Sequence, residues 1–276
     1  MIDSDRKGKV MIPKVIHYCW FGGNPIPQKD QEYIASWKRF CPDYEVIEWN
    51  ETNYDITKNI YMREAYDAKK WGFVPDYARF DIIYNHGGIY LDTDVELVKS
   101  LDGLLADKAF IGFENKNYVA AGLGFGAIKG HETIKALRDF YDELSFVKED
   151  GSYNLTPSPM YQTDCMVKRG LALENTKQIV ADITVYPTEY FCPKDNALNN
   201  IEITENTYSI HHFNASWFDD KQQKELLKLR LYQKMCGKKI GLRLFNANHI
   251  FKTAGISGVF AKIKEKLNSN KGNKHE

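Results

Sequence analysis

The stretch that decides the fold is FVPDYARFDIIYNHGGIYLDTDVELV, residues 73–98. Pro75 and Asp76 predict the start of a helix, because proline fits the first helical turn and an acid suits its positive N-terminal end. Gly87 and Gly88 end that helix, and the short apolar run after them predicts a buried strand. A helix, a buried strand and then a polar segment are typical of an open α/β sheet.

Asp92 and Asp94 follow this strand at its carboxyl end, where ligands bind in open α/β sheets. Residues two apart in a strand point to the same side, so both carboxylates are expected to face one site. A divalent cation that prefers oxygen ligands, Mg²⁺ or Mn²⁺, would offset their repulsion. The alternative is an acidic turn with both groups in water. The helix, the glycine pair and the buried strand before the aspartates favour the site.

Asp76 and Arg79 lie one helical turn apart and are expected on the same face of the helix. The alternative to a functional role is a surface ion pair, which would contribute only about 0.3–0.5 kcal/mol. Asp81 lies in the same helix but on a different face, and it is expected to be structural.

Four blocks together resemble the nucleotide-sugar site of retaining glycosyltransferases with the GT-A fold. The most similar group is glycosyltransferase family 32, which includes bacterial capsular-polysaccharide transferases and yeast mannosyltransferases. The glucosylating toxins of clostridia are a more distant resemblance. The likeness covers residues 11–217, and its blocks are IHYCWFGG (16–23), DYAR (76–79), GGIYLDTD (87–94) and HHFNASW (211–217).

This resemblance implies a catalytic group made of Asp76, Arg79, Asp92 and Asp94. Arg79 would contact the diphosphate or the donor sugar, and Asp76 would bind sugar hydroxyls. Asp94 would hold Mn²⁺ or Mg²⁺, with Asp92 touching the ion directly or through water.

A histidine near the end of the catalytic domain completes the metal site in related enzymes, and His212 is the candidate here. Adjacent residues on a strand face opposite sides, so at most one of His211 and His212 joins the site. His211 would then face the core or the other wall. Which of the two faces the metal stays open at the level of sequence.

Further nucleotide and sugar contacts are expected around this group. Trp20 is the candidate for stacking on the nucleoside base, with a core tryptophan beside a turn as the alternative. The glycines after Trp20 would let a ligand approach the backbone, and the glycine-rich segment 120–127 would form the floor of the sugar pocket. The expected nucleotide- or sugar-binding residues are Trp20, Gly22, Gly23, Asp76, Arg79, Asp92, Thr93, Gly122, Ser216 and Trp217.

The remaining pattern alternates strands with helices. Such an order predicts a mostly parallel central sheet flanked by helices, with right-handed crossovers and a site at the strand carboxyl ends. A Pro-, Ser- and Gly-rich segment, 150–161, is expected to be a loop over the site. The predicted strands are 14–19, 44–49, 88–91, 95–98, 109–114 and 208–213, and the predicted helices are 28–40, 60–70, 75–85, 131–146 and 221–235.

Charge is unevenly distributed along a chain whose formal net charge is zero. Residues 221–276 contain 14 Lys or Arg against 3 Asp or Glu, which leaves 23 against 34 in the rest. A basic amphipathic pattern at 256–267 is typical of a helix that lies on a membrane surface. Packing on its own domain is the alternative. Lipid headgroups or a lipid-linked acceptor are therefore the expected anionic partners, rather than nucleic acid.

Three segments are predicted: a GT-A catalytic domain at 11–220, a basic helical C-terminal extension at 221–268 and a disordered tail at 269–276. The five cysteines lack metal-binding spacing, and a reducing compartment is expected. Because neither a signal peptide nor an apolar run of about 18 residues is evident, a cytoplasmic location is expected, with peripheral contact to the inner face of the membrane.

The expected function is a retaining transfer of a hexose from a nucleotide diphosphate sugar, with UDP as the expected nucleotide. The acceptor would be a glycan or a lipid-linked oligosaccharide in capsule or exopolysaccharide synthesis. The resemblance implies that the leaving phosphate takes the acceptor proton, so a general base is not required. Two alternatives stay open: a nucleotide-sugar hydrolase with the same metal site, and a non-catalytic, basic-tailed membrane-binding protein.

Overall fold

The computed structural model describes residues 10–195, 200–214, 220–237 and 239–248. Two compact units divide the chain: residues 1–194 with 201–217, and residues 195–200 with 218–276. The helices are α1 (Gln28–Phe40), α2 (Ile60–Asp67), α3 (Pro75–His86), α4 (Glu132–Asp139), α5 (Ser158–Val167), α6 (Thr188–Phe191) and α7 (Asp220–Cys236). The strands are β1 (Val15–Cys19), β2 (Glu45–Trp49), β3 (Gly88–Tyr90), β4 (Val95–Leu97), β5 (Ala109–Asn115), β6 (Tyr118–Ala120), β7 (Phe125–Ala127), β8 (Gln178–Val180), β9 (Ile183–Tyr186), β10 (Lys194–Asp195), β11 (Asn200–Ile201) and β12 (Ser209–His211).

The first unit is built on one eight-stranded sheet with the order β2-β1-β3-β7-β5-β9-β8, to which β6 adds beside β5. The pairings β1–β2, β1–β3 and β5–β9 are parallel, whereas β3–β7, β5–β7, β5–β6 and β8–β9 are antiparallel. Strands β1, β2, β3, β5 and β9 therefore run in one direction and three run in the other. The expected α/β class with a mostly parallel central sheet is confirmed.

A separate two-stranded ribbon carries both sequence blocks that were expected to form the metal site. Strand β4 pairs with β12 in antiparallel register, with Val95 opposite His211. Helix α1 braces the ribbon, because the Trp37 indole donates to the carbonyl oxygen of Val95 at 2.7 Å and Ser36 Oγ accepts from the Leu97 N–H at 2.9 Å. The segment 211–214 is thereby brought to the turn that carries Asp92 and Asp94.

Three predicted elements differ from the observed ones. The helix expected at 131–146 ends at Asp139 and continues as a 3₁₀ turn, Phe140–Glu143. Helix α5 begins inside the expected loop, at Ser158, because Pro159 fits its first turn and lacks the N–H that would have no partner there. The glycine-rich segment is a 3₁₀ turn, Ala121–Leu123, followed by the short β7, rather than one continuous strand.

The described residues of the second unit are α7, the helical residues 239–248, Gly237, and Asp195 and Asn200 of the short strands β10 and β11. The amide of Asn248 donates to the Tyr232 hydroxyl at 3.0 Å, and the Tyr232 and Phe245 rings lie 6.4 Å apart. The predicted amphipathic helix 256–267 and the tail 269–276 lie outside the described residues. Within the described part of the chain, no helix is both long and apolar enough to cross a membrane.

Candidate active site

A turn, rather than a strand, brings the two aspartates together. Strand β3 ends at Tyr90, and the N–H of Val95 donates to the carbonyl oxygen of Asp92 at 3.1 Å, which closes a turn through both carboxylates. A carboxylate oxygen of Asp92, one of Asp94 and a ring nitrogen of His211 all lie within 4.8 Å of one another. The two side chains do share a site, although the two-residue period of a strand is not the cause.

The histidine in this group is His211, and the choice of His212 was wrong. His211 Nε2 lies 3.0 Å from Asp94 Oδ1. His212 points to the other side of the ribbon, where its Nε2 lies 2.8 Å from Glu96 Oε2 and its ring stacks on Tyr33 at 4.2 Å. The strand alternation that separates neighbouring side chains was applied correctly, but it does not say which of the two sides carries the aspartates.

Asp94 and His211 stabilise each other's charged forms. Burial alone would raise the pKa of Asp94, but the His211 ring and the Asn214 N–H, which donates to Asp94 Oδ2 at 2.8 Å, hold that pKa below its usual range. Burial alone would lower the pKa of His211, and Asp94 raises it instead. Asp92 differs, because burial raises its pKa more than the nearby Arg79 lowers it.

Arg79 joins the two predicted acids of the site. Its Nη2 lies 3.2 Å from Asp76 Oδ1 and 3.6 Å from Asp92 Oδ1, and its guanidinium lies over the Tyr90 ring at 5.3 Å. The side chains of Asp76 and Arg79 are only 4% and 6% exposed, so the alternative of a surface ion pair is wrong. Burial raises the pKa of Asp76 to about 7, even though Arg79 lowers it.

Gly122 leaves room for this arrangement. A Cβ at this position would collide with Oδ2 of Asp92 and would lie 3.3 Å from Nη1 of Arg79. The Asp92 carboxylate therefore occupies the space that a side chain at position 122 would take. A contact between Gly122 and a sugar stays a prediction. Core packing requires a glycine at position 126, since a Cβ there would lie 2.7 Å from the Phe110 ring.

The donor atoms around Asp94 suit a divalent cation. Two carboxylates and one imidazole are ligands that Mn²⁺ and Mg²⁺ accept, imidazole favouring Mn²⁺. Among the described residues, Nδ1 of His211 is buried and has no hydrogen-bond partner, whereas Nε2 faces the Asp94 carboxylate, an acceptor that keeps a proton on that nitrogen. The residues present thus fit the predicted metal, with His211 in the place expected for His212.

Three residues expected to bind the nucleotide, Trp20, Gly22 and Gly23, directly follow β1. The Trp20 indole is half-buried and donates to the carbonyl oxygen of Asn24 at 2.5 Å. Gly22 has a φ of +97°, and a Cβ there would lie 2.9 Å from the Trp71 ring, so packing alone requires this glycine. Gly23 is exposed, and a nucleotide contact for these residues stays a prediction. Ser216 and Trp217 lie outside the described residues.

Two polar residues of the site, Asp30 and Glu114, were missed by the sequence analysis. Asp30 is 1% exposed and bonds both Thr93 and Asn214. Glu114 lies at the end of β5, where burial raises its pKa and its charge acts on His211. One signal was present for Asp30: it lies three and seven residues before the buried Tyr33 and Trp37, in line with the apolar stripe of α1.

A family model for the glycosyltransferase sugar-binding region containing the DXD motif matches residues 27–111. Inositol phosphoceramide mannosyltransferase 1 of Schizosaccharomyces pombe is 32% identical over 121 residues, which are 40% of this chain and 36% of that protein. An uncharacterized glycosyltransferase, L373, of Acanthamoeba polyphaga mimivirus is 27% identical over 75% of this chain and 84% of its own length. The chain thus spans about a third of the yeast relative and most of the viral one.

Two solved structures are similar at low identity. The PaToxG glycosyltransferase is 16% identical with a TM-score of 0.44, covering 57% of this chain and 69% of its own. A glycosyltransferase involved in glycosylation of the major capsid of PBCV-1 is 8% identical with a TM-score of 0.42, covering 78% and 100%. The expected resemblance is confirmed by the family match, and Asp76, Arg79, Asp92 and Asp94 all lie inside it: residues 27–111 are similar to the glycosyltransferase sugar-binding region that contains the DXD motif.

Proposed function

We propose that this protein is a metal-dependent glycosyltransferase that moves a hexose from a nucleotide diphosphate sugar to a glycan or a lipid-linked acceptor. One observation carries the proposal: Arg79, Asp92, Asp94 and His211 converge at one end of the sheet, and three of the four lie within the matched sugar-binding region. A non-catalytic binding protein would have no use for this convergence.

The buried side chains supply binding and charge. Arg79 carries a planar fork of donors that suits phosphate or sugar oxygens, and its burial strengthens its interaction with a negative group. Asp76, held beside it at 3.2 Å, is placed to accept a hydrogen bond from a sugar hydroxyl. Asp92 is the more exposed of these acids, at 28%, and its carboxylate can reach both a sugar or ribose hydroxyl and the metal.

Asp92, Asp94 and His211 would hold Mn²⁺ or Mg²⁺. When bound, such a cation acts as a Lewis acid that offsets the charge developing on the leaving diphosphate. The Asn214 N–H donates to Asp94 and helps to hold this ligand in place. Thr93 lies between the two aspartates in the same turn.

The finer assignment follows the family resemblance. The anomeric configuration is retained, the donor is UDP-linked, and the product enters capsule or exopolysaccharide synthesis. The yeast relatives carry the name inositol phosphoceramide mannosyltransferase, which makes mannose a second candidate sugar and a glycolipid a second candidate acceptor. Hydrolysis of the donor by water is the competing reaction at the same site.

The test is calorimetric titration of the full chain with UDP and with GDP, each with and without Mn²⁺, for the wild type and for Asp94→Asn. We expect nucleotide binding that requires Mn²⁺ and is lost in the variant. Nucleotide release that depends on an added acceptor would then distinguish transfer from hydrolysis. Failure to bind any nucleotide with any metal would overturn the proposal.

The protein acts, in this proposal, at the cytoplasmic face of an anionic membrane, which it contacts through α7. Leu227, Leu231 and Met235 lie four residues apart on this helix and are 61%, 57% and 72% exposed. Lysines at 224, 228 and 234 are exposed beside them. Large apolar side chains between basic ones are the combination that binds anionic lipid surfaces.

Vesicle flotation of the full chain tests this contact. Binding is expected to vesicles that contain phosphatidylglycerol, weakly to pure phosphatidylcholine, and less in high salt. The double variant Leu227→Gln/Leu231→Gln should lose it. Ile179→Gln, which removes an equally exposed apolar side chain in the first unit (75% exposed), should bind as the wild type does. Equal binding by both variants, or preference for neutral vesicles, would overturn it.

A further inference from the structure

Asp30 is a buried acid that joins two parts of the site without belonging to the metal ligands. It lies in the first turn of α1 and is 1% exposed. Its Oδ1 accepts from the Asn214 side-chain amide at 2.9 Å, and its Oδ2 accepts from the Thr93 hydroxyl at 3.2 Å. Thr93 lies between Asp92 and Asp94, while Asn214 follows β12, so one carboxylate ties together two segments that are more than a hundred residues apart.

The backbone of the segment after β12 is strained at Phe213, so contacts with neighbouring residues are needed to hold its conformation. Phe213 has a φ of +54°, in the left-handed region, where a residue with a bulky side chain has a strained backbone. The N–H groups of His212 and Asn214 donate to Asp94, to its carbonyl oxygen at 3.0 Å and to its Oδ2 at 2.8 Å. These bonds set the position of the segment relative to Asp94. On its other side, the Asn214 side chain donates to Asp30 and also contacts Tyr33.

Three other residues of α1 contact the ribbon or the segment that follows β12: Tyr33 stacks on the His212 ring at 4.2 Å, and Trp37 and Ser36 bond backbone atoms of the ribbon. Trp37 donates to the Val95 carbonyl oxygen, and Ser36 accepts from the Leu97 N–H. Asp30 differs because it bonds side chains of the two loops that hold the ligands. A carboxylate in the first helical turn is also favoured by the helix dipole, which helps an anion stay buried there.

We propose that Asp30 is a positioning residue that holds the Asp92–Asp94 turn and the His211–Asn214 segment at the separation a divalent cation requires. This inference rests on the proposed function, because it assigns Asp30 a role through the metal ligands. Residues that hold metal ligands in place typically contribute about 10–100-fold in metal affinity or activity.

The experiment is a Mn²⁺ titration of the full chain followed by the electron paramagnetic resonance signal of free Mn²⁺, which requires no turnover. Asp30→Asn keeps the size of the side chain but removes one acceptor, and we expect its Mn²⁺ dissociation constant to rise about 10–100-fold. Thr93→Val removes one of the two bonds at nearly constant volume and should weaken Mn²⁺ binding less. Glu32→Gln is the matched control, since Glu32 is on the same helix and bonds only the exposed Lys29 among the described contacts; it should bind as the wild type does.

The double variant Asp30→Asn/Asn214→Asp reverses donor and acceptor, and it is expected to recover part of the affinity. A purely structural role would lower the melting temperature without changing the Mn²⁺ dissociation constant of the folded protein, and that result would overturn the inference. Wild-type binding that is lost in Asp94→Asn but unchanged in Asp30→Asn would overturn the role of Asp30 alone. Absence of Mn²⁺ binding by the wild type would overturn the proposed function as well. If Asp30→Asn does not fold, Thr93→Val and the double variant decide the question by the same titration.

Discussion

Helix α3 carries two buried aspartates, Asp76 and Asp81, which differ in how many cations and hydrogen-bond donors surround their carboxylates. Asp81 accepts from the Tyr54 hydroxyl at 2.8 Å, from Lys58 at 3.0 Å and from the Asn85 amide at 2.8 Å, and Arg138 lies 3.5 Å away.

Asp76, five residues earlier, has the Arg79 guanidinium at 3.2 Å and the Ser158 side chain as partners. The buried hydroxyl of Tyr61, whose pKa is raised by burial and by the Asp76 charge, has no hydrogen-bond partner among the described residues. A buried carboxylate with many partners holds elements together, while one with few partners can still accept bonds from a ligand. Burial alone does not distinguish a structural acid from a site acid.

The largest expected effect is on catalysis at the end of the sheet. Asp94→Asn removes the acid that His211 and the Asn214 N–H surround, and kcat/KM for sugar transfer should fall about 10²–10³-fold, the scale of one lost electrostatic contributor. Initial rates of UDP release at saturating metal measure this. An unchanged rate would place Asp94 in the same structural class as Asp81.

The largest effect at Asp81 should be on stability instead. Asp81→Ala leaves Lys58 and Arg138 without their shared acid, and the free energy of unfolding should fall by about 3–5 kcal/mol in a urea titration. The matched control is Asp182→Asn at an exposed ion pair with Lys108, which should change stability by less than about 0.5 kcal/mol. A normal stability combined with lost donor binding would reverse the roles assigned to the two aspartates of α3.

The two histidines allow a sharper test of the metal site. His211→Ala should raise the Mn²⁺ dissociation constant by about 100-fold or more, because it removes a ligand rather than an outer partner. His212→Ala removes a ring that bonds Glu96 and stacks on Tyr33, and it should change metal affinity only a few-fold. Equal losses in the Mn²⁺ titration would contradict the assignment.

The smallest expected effect is a pH dependence of stability at Asp76. Burial raises the pKa of this carboxyl to about 7 in the folded protein, well above its value in the unfolded chain. Between the two values the folded state binds the extra proton, so the contribution of Asp76 to stability is present at low pH and is lost as pH rises through about 7. Relative to the wild type, Asp76→Asn should therefore gain stability progressively from about pH 4 to 7 and no further above pH 7, which urea titrations at each pH would measure. A constant difference across this range would show that the Asp76 pKa is not raised.

Much of the site could be predicted from sequence because short-range geometry decides it. The helix with Asp76 and Arg79, the glycine pair and the paired aspartates lie within 19 residues, and backbone preferences place them near one another. The family resemblance then suggested their chemistry, and the match to residues 27–111 confirms the resemblance. Local sequence patterns could not assign Asp30, Glu114 or His211 to the site, because each joins it only when distant segments pack together.

The sequence by itself determined the α/β class, the parallel pairing of the first strands and the position of the acidic turn, since apolar periodicity and the glycines act locally. Only the tertiary structure decided that the ribbon β4–β12 turns His211, rather than His212, toward Asp94. Alternation along a strand separates neighbouring side chains onto two faces, but the register with a partner strand a hundred residues away determines which face carries the aspartates.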